Sequence, residues 1–98
     1  MLFSVRTTNY QNNLMLNICD ADLIGRVLKK GDFHMNISKS YYGQRVVDRK
    51  EAEELMKKSS ILNMAGKETI DMSINLKIGT RLGVKEIDNV PFLIVYKM

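Results

Sequence analysis

Two adjacent tyrosines surrounded by basic side chains form the sequence cluster with the clearest chemical potential. Tyr41 and Tyr42 precede Gly43, and four cations flank them: Lys39, Arg45, Arg49 and Lys50. Aromatic rings interleaved with cations can stack on nucleic-acid bases while the cations hold phosphates. The same cluster suits a protein interface, because tyrosine is enriched at binding hot spots. The structural alternative is that one ring packs under a sheet edge and the cations are solvated.

The positive charge of the chain is concentrated in its first half. The 98 residues include 15 Lys and Arg and 11 Asp and Glu, which gives a net charge of +4. Residues 1–50 carry eight basic and four acidic side chains, whereas residues 51–98 carry seven of each. A basic surface attracts phosphate backbones, although a charge of this size also keeps a small domain in solution. We therefore add Arg26, Lys29 and Lys30 as supporting members of a binding surface.

One cysteine and one histidine are the only candidates for nucleophilic or base chemistry. Cys19 lies where a predicted strand meets a predicted helix, but Asp20 and Asp22 oppose a thiolate there. A small buried thiol is the favoured interpretation. His34 alternates with core positions, and nothing brings it within hydrogen-bond reach of Cys19. Because phosphate-binding glycine motifs are also missing, we predict no catalytic residues, no metal and no cofactor.

The elements that position these residues follow from hydrophobic periodicity. Alternation predicts strands at residues 2–7, 14–19, 33–37, 44–47 and 84–87, and a continuous apolar run predicts a central strand at residues 92–96. Helices are predicted from Asp20 to Gly31, from Asp48 to Ser59 and over residues 67–78. The segment Ile61–Ala65 is interpreted as an apolar link that extends the second helix. Residues 38–43 are expected to bend.

This order of elements predicts the fold class. Neighbouring strands are too frequent for a doubly wound parallel sheet, so we expect a single α+β domain over residues 1–98, with a mainly antiparallel sheet and two to three helices packed on one face. The longest apolar run is far shorter than the ~20 residues of a membrane span. The first residues lack a signal-peptide pattern and a lone cysteine fits a reducing compartment, so a cytoplasmic location without membrane contact is expected.

Four segments resemble an archaeal family known as domain of unknown function 424. They are Cys-Asp-Ala-Asp-Leu-Ile-Gly-Arg at 19–26, Ser-Lys-Ser-Tyr-Tyr-Gly at 38–43, Asn-Met-Ala-Gly-Lys at 63–67, and Val-Pro at 90–91. Family members often carry histidine where this chain has Phe92, and glutamate where it has Lys67. No role for that histidine transfers, because phenylalanine neither titrates nor binds metal. The resemblance implies an archaeal cytosolic protein associated with translation.

Three functional hypotheses follow. The first is a non-enzymatic accessory protein that contacts RNA, the ribosome or a translation factor. Its contact residues are Lys39, Tyr41, Tyr42, Arg45, Arg49 and Lys50, supported by Arg26, Lys29 and Lys30. The second is a protein–protein adaptor that docks through the same loop or through Ile61–Ala65. The third is a small-molecule enzyme that uses Cys19 or His34. The sequence leaves the partner, the oligomeric state and the strand order open.

Overall fold

The fold is built on a six-stranded sheet, seen in a computed structural model that describes residues 1–97. The strands are β1 (Leu2–Tyr10), β2 (Asn13–Asp20), β3 (Val27–Lys30), β4 (Phe33–Asn36), β5 (Arg45–Asp48), β6 (Ile61–Ala65), β7 (Lys85–Ile87) and β8 (Val90–Tyr96). The helices are α1 (Lys39–Tyr42), α2 (Arg49–Lys58) and α3 (Lys67–Asn75), and 3-10 turns lie at Ala21–Leu23 and Arg81–Gly83. The large sheet has the order β5-β1-β2-β6-β8-β7, and β3 and β4 form a separate hairpin.

The sheet is mainly antiparallel, which confirms the predicted α+β class. Only the central β2–β6 pair is parallel within the part of the chain that the structure describes. The β1–β2 and β7–β8 hairpins each turn on two residues with positive φ, Gln11 with Asn12 and Asp88 with Asn89. Asparagine and aspartate tolerate that left-handed conformation better than other non-glycine residues, and the resulting turn matches the strand twist.

Two helices cover one face of the sheet, as predicted. The inward side chains of α2 and α3 join the alternate residues of the strands, such as Phe3, Leu16 and Leu62, in the larger core cluster. Asp48 caps α2, because its Oδ1 accepts the Glu51 backbone N–H at 2.9 Å. We refer to this side of the sheet as the helical face. The third helix, α1, and the β3–β4 hairpin pack on the opposite face, which we call the second face.

The helix predicted from Asp20 to Gly31 is wrong. That segment forms the 3-10 turn at Ala21–Leu23 and then β3, and Gly31 lies in the turn of the β3–β4 hairpin with φ 60°. Asp20 does not cap a local helix, because its carboxylate binds the first turn of α3 instead. Leu28 is buried and Val27 is exposed, which is the alternation of a strand rather than one side of a helix.

The interpretation of Ile61–Ala65 as a helical extension is also wrong. Helix α2 stops at Ser59, whose extended backbone and Oγ–H···O bond to Leu55 close the last turn. The segment is the strand β6, which lies between β2 and β8 near the middle of the sheet. Leu62, Met64 and Ala65 are buried there, so this segment presents no continuous apolar surface to a partner. A short apolar run fits a buried strand and a buried helix equally well, which explains the error.

The segments next to these corrections agree with the predictions in outline. Residues 38–43, expected to bend, form the single turn of α1, which Ser38 caps through the Tyr41 N–H at 3.2 Å. The helix predicted over residues 67–78 forms as α3 but ends at Asn75, and Lys77 adopts φ 61° after it. β8 is paired on both sides, with β6 along its length and with β7 at its start.

Candidate nucleic-acid interface

Half of the second face is covered and half is open. The β3–β4 hairpin and α1 pack over Cys19, Ala65 and Val90, where Leu28, Ile37 and Tyr42 complete a smaller core. The strand register places two further rows of side chains on the same face, beyond this cover. The rows are Arg6–Asn17–Asn63–Ile94 and Thr8–Met15–Ile61–Tyr96, which together we call the open face.

A chain of amide hydrogen bonds crosses the middle of the open face. Asn63 Nδ2 donates to Asn17 Oδ1 at 2.8 Å, and Asn17 Nδ2 donates to the Tyr41 backbone carbonyl at 3.1 Å. The Asn17 side chain is buried by this arrangement and holds α1 against the sheet. Asn63 is partly exposed, and within residues 1–97 its Oδ1 and its second N–H have no hydrogen-bond partner. The open face therefore presents one donor and one acceptor side by side.

Two exposed tyrosines belong to the elements on either side of this amide pair. Tyr41 is 45% exposed at the α1 side, and Tyr96 is 66% exposed on β8. Asn17, the β2 residue bonded to the Tyr41 carbonyl, is two strands away from Tyr96, roughly 10 Å across the sheet, and one row away along the strands, roughly 7 Å. Apolar side chains of Met15, Ile61 and Ile94 lie in the rows between them. The result is a partly apolar sheet surface with an exposed tyrosine at each side.

The second tyrosine of the predicted pair does not contribute a ring to this surface. Tyr42 is only 3% exposed and belongs to the smaller core. Its ring meets that of Tyr41 edge-on, at 4.8 Å between centroids. Burial raises the pKa of Tyr42 well above its ordinary value, and Tyr41 and Cys19 add to the effect. Tyr42 therefore packs against Tyr41 from within the smaller core.

Three of the predicted cations lie on the helical face among acidic neighbours. Arg45 forms an ion pair with Glu51. The Arg49 guanidinium lies over the Phe3 ring, 5.6 Å from its centroid, and 3.8 Å from a Glu68 carboxylate oxygen. Lys50 borders a shallow depression that it shares with three carboxylates, those of Asp48, Glu51 and Glu54. These residues do not converge with Tyr41.

The other four predicted cations belong to the second face. Lys39 is exposed in the first turn of α1, and Arg26, Lys29 and Lys30 are exposed on the β3 side of the hairpin. The tip of that hairpin is tied to the β7–β8 turn, since the Lys29 backbone N–H donates to Asp88 Oδ2 at 3.2 Å. The structure thus divides the nine predicted contact residues between the two faces of the sheet, and Lys39 and Tyr41 both belong to α1.

Arg6, Asn63, Ile94 and Tyr96 are the surface residues that sequence reasoning missed. Arg6 lies in the first row of the open face and makes no ion pair within residues 1–97. Ile94 and Tyr96 lie in the continuous apolar run that predicted a central strand, so their exposure had no sequence signal. The alternation in β2 does place Asn17 on the same face as Met15, and this was the one sequence signal that pointed to the open face.

The structure buries one of the two candidates for nucleophilic or base chemistry and exposes the other. Cys19 is fully buried in the smaller core, and burial raises the pKa of its thiol to about 12, with Asp20 and Asp22 adding to the effect. The thiol is therefore protonated at neutral pH, when only the thiolate is a good nucleophile. His34 is exposed on β4, directly opposite Lys29.

Two of the singled-out sequence segments meet in a structural contact. Asp20, from the first segment, binds the first turn of α3, and Gly66, from the third, precedes that helix with φ 106°. A Cβ at Gly66 would lie 2.5 Å from Asp20 Cγ, so only glycine fits there. Among residues 1–97, no three His, Cys, Asp or Glu side chains gather where they could hold a metal ion. None of the described helices has the length and apolarity to cross a membrane.

A mixed six-stranded sheet, helices on one face and a half-covered second face define the class of this protein as a small α+β domain. The chain belongs to the family described as protein of unknown function (DUF424), whose model matches residues 8–98. The crystal structure of an uncharacterized conserved protein from Methanopyrus kandleri has a similar fold, with a TM-score of 0.79 at 16% identity over 100% of this chain and 95% of that chain. No curated protein matches the sequence.

Proposed function

We propose that this protein is a non-enzymatic accessory protein that contacts single-stranded RNA through the open face. The observation that carries the proposal is the placement of Tyr41 and Tyr96 at the two sides of an exposed sheet surface with free amide groups between them. A sheet that presents aromatic rings in this way is a common platform for two or three unpaired bases. The contact surface differs from the predicted loop cluster, of which it keeps Lys39 and Tyr41.

Stacking on the two rings would supply most of the binding energy. Each exposed ring offers one base a π-face, and stacking on an aromatic side chain contributes about 1–3 kcal/mol per base. The two positions are roughly 12 Å apart, two strand spacings across the sheet and one row along it, which is long enough for one further base to lie between them over Ile94 and Ile61. Duplex RNA would not fit this arrangement, because its bases are already stacked in the helix.

The amide pair gives the surface a means of recognising a base edge. Asn63 keeps one acceptor and one donor unused, and a neutral amide pairs with bases that present the complementary edge. Asn17 holds the Asn63 side chain in one orientation, because the 2.8 Å bond fixes which atom faces which. A preference among bases is therefore expected from Asn63, and affinity is expected from the rings.

Cations at the rim would hold the phosphates. Arg6 lies in the same row as Asn63, and Lys39 lies in the helix that carries Tyr41. The exposed residues Arg26, Lys29 and Lys30 extend the positive charge along the hairpin. Contacts of this kind release counterions, so the affinity should fall as salt rises. Only the second-face cations enter the proposal.

Fluorescence anisotropy with labelled single-stranded RNA decamers of mixed sequence tests the proposal. Tyr41→Ala and Tyr96→Ala should each weaken binding by about 5- to 150-fold, the equivalent of one lost stacked base. Tyr96→Phe should retain the affinity, because the ring remains. Tyr10→Ala is the matched control, since Tyr10 is 60% exposed at the tip of the β1–β2 hairpin, beyond the last residue paired with β6.

Three results would contradict the proposal. They are no binding at low salt, equal binding of single-stranded and duplex RNA, and equal losses in Tyr10→Ala and Tyr96→Ala. Capture of a protein that survives nuclease treatment, together with absent RNA binding, would favour the adaptor hypothesis instead. Thermal unfolding of each variant separates a lost contact from a lost fold.

A further inference from the structure

The outer edge of β8 carries main-chain groups that no strand pairs. Gly66 N–H donates to the Pro91 carbonyl at 2.9 Å, and Lys97 N–H donates to the Ser60 carbonyl at 2.8 Å. These bonds show that the odd-numbered residues of β8 direct their main-chain groups toward β6. The even-numbered residues must point the other way, because the groups alternate along a strand. The N–H and C=O groups of Ile94 and Tyr96 therefore point away from the sheet.

Strand β7 is too short to reach these groups. It pairs with β8 only from Val90 to Phe92, because Lys85, which lies opposite Phe92, is the first residue of β7. Within residues 1–97, no side chain bonds to the main chain of Ile94 or Tyr96. At the other side of the sheet the situation is different, because the outward N–H of Thr7 donates to Gln44 Oε1 at 3.2 Å. The β8 edge has no such protection.

The β8 edge also lacks the side chains that normally prevent strand pairing. Charged residues and prolines commonly guard exposed edges, yet residues 92–96 contain neither. Two cations lie near this edge. Lys97 turns away, since its Nζ donates to the carbonyls of Met56 at 2.6 Å and Lys57 at 2.9 Å. Lys85, the first residue of β7, lies opposite Phe92 and stops short of the level of Ile94 and Tyr96. Ile94 is 56% exposed beside this edge, and Leu82 is 98% exposed in the turn that packs on Leu93.

We propose that the β8 edge pairs antiparallel with the β8 edge of a second copy of this chain. A two-fold axis through Val95 places Ile94 of each copy opposite Tyr96 of the other. All outward main-chain groups of these two residues are then satisfied, by four N–H···O=C bonds in total. The edge is self-complementary, which is the requirement for a closed two-fold interface. This self-complementarity favours a second copy over an unrelated extended peptide.

Side chains strengthen the same pairing. Ile94 would lie directly across from the Tyr96 ring of the second copy on the open face, and such apolar–aromatic pairs stabilise antiparallel strands. A mainly apolar cleft of about 290 Å³ borders the edge and would be covered by the second copy. It is lined by Gly83, Lys85, Phe92, Leu93 and Ile94. The two open faces would become neighbours in one continuous sheet. The inference rests on main-chain geometry and stands whether or not RNA binds.

Sedimentation equilibrium without nucleic acid tests the pairing. The interface is small, so the dimer should be weak. We expect both monomer and dimer to be populated at protein concentrations between about 20 µM and about 1 mM. Ile94→Lys should shift the dissociation constant upward by at least about tenfold, because it sets two like charges near each other at the edge. Val46→Lys is the matched control, since Val46 is 58% exposed on β5 at the opposite edge. Ile94→Pro should act like Ile94→Lys by removing one outward N–H.

Amide hydrogen exchange identifies the surface directly. The amides of Ile94 and Tyr96 should become protected as the concentration rises, whereas the amide of Asn9, near the β1 edge, should keep its exchange rate. A chain that stays monomeric up to about 1 mM overturns the proposal. So does an equal effect of Ile94→Lys and Val46→Lys, or a dimer in which the Ile94 and Tyr96 amides exchange as freely as in the monomer.

Discussion

Asp20 binds Thr69 twice across 49 positions of sequence. Its Oδ1 accepts the Thr69 backbone N–H and the Thr69 hydroxyl, both at 2.8 Å. Its Oδ2 accepts the Glu68 N–H at 3.1 Å. The carboxylate at the end of β2 thus satisfies the first amides of α3, where the helix dipole also favours negative charge.

Asp20→Ala should lower the free energy of unfolding by about 2–3 kcal/mol, because two buried and one partly buried charge-assisted hydrogen bonds are lost at once. Urea denaturation followed by circular dichroism measures the change. The control is Asp48→Ala, which removes one exposed capping bond from α2 and should lower it by about 1 kcal/mol. Equal losses in the two variants would show that the link between β2 and α3 contributes no more than an ordinary cap.

Gly66→Ala should destabilise the fold by more than about 3 kcal/mol, because a positive φ is combined with a clash against Asp20. Gly25→Ala distinguishes the backbone strain from the steric clash. Gly25 has φ 89° but nothing lies within 4 Å of a Cβ built there, so it reports the backbone strain alone, about 1–2 kcal/mol. Differential scanning calorimetry of both variants provides the comparison, and equal effects would remove the steric argument.

The Cys19 thiol should not react with Ellman's reagent at pH 8 in the native protein. Burial keeps the reagent away from the thiol, and because the pKa of the thiol is raised to about 12, almost no thiolate is present at pH 8. Reaction should follow at once when urea unfolds the chain. Rapid modification of the native protein would contradict the buried position.

Stability should decline at alkaline pH because of the same group. The unfolded thiol ionises near its ordinary pKa, whereas the folded thiol does so only near 12, so the unfolded state holds fewer protons between these values. The free energy of unfolding should fall by up to about 1.4 kcal/mol per pH unit there. Cys19→Ala should reduce that slope. Some slope should persist, because the pKa of Tyr42 is raised as well.

Arg6→Gln should weaken RNA binding and reduce the slope of log affinity against log salt by about 0.7, the value of one phosphate contact on a single strand. Arg45→Gln and Arg49→Gln should leave both quantities unchanged, since those residues pair with acids on the helical face. All three substitutions remove one charge from the chain, so the comparison isolates location. If all three variants lost the same amount of RNA affinity, the result would favour the loop cluster predicted from the sequence as the RNA interface.

Local sequence patterns predicted correctly those elements whose pattern fits only one type of secondary structure. The alternation of β1 and β2 and the Asp48 cap of α2 are of this kind, and the fold class followed from them. Leu23, Ile24 and Leu28 suit either a helix side or a strand side, and the choice depended on whether Asp20 was free to cap. That carboxylate is occupied by a helix almost fifty residues later, which no local window contains.

The open face could not be predicted from the sequence, because it too depends on contacts between distant segments. Whether Ile94 and Tyr96 are buried depends on which elements cover β8, and therefore on the strand order and on the extent of β7. Periodicity assigns side chains to faces but does not say which part of a face the β3–β4 hairpin will cover. Tyr41 was found because its chemistry is visible in sequence, whereas Tyr96 lies in an apolar run that conceals it.

The bond between Asp20 and the start of α3 has a consequence for how the chain reaches its native state. A nine-residue helix is too short to persist by itself in water. Its first amides gain their acceptor only when β2 and β6 lie side by side, since Gly66 directly follows β6. Nucleation of α3 and formation of the parallel strand pair should therefore be one kinetic event, which closes a loop of almost fifty residues.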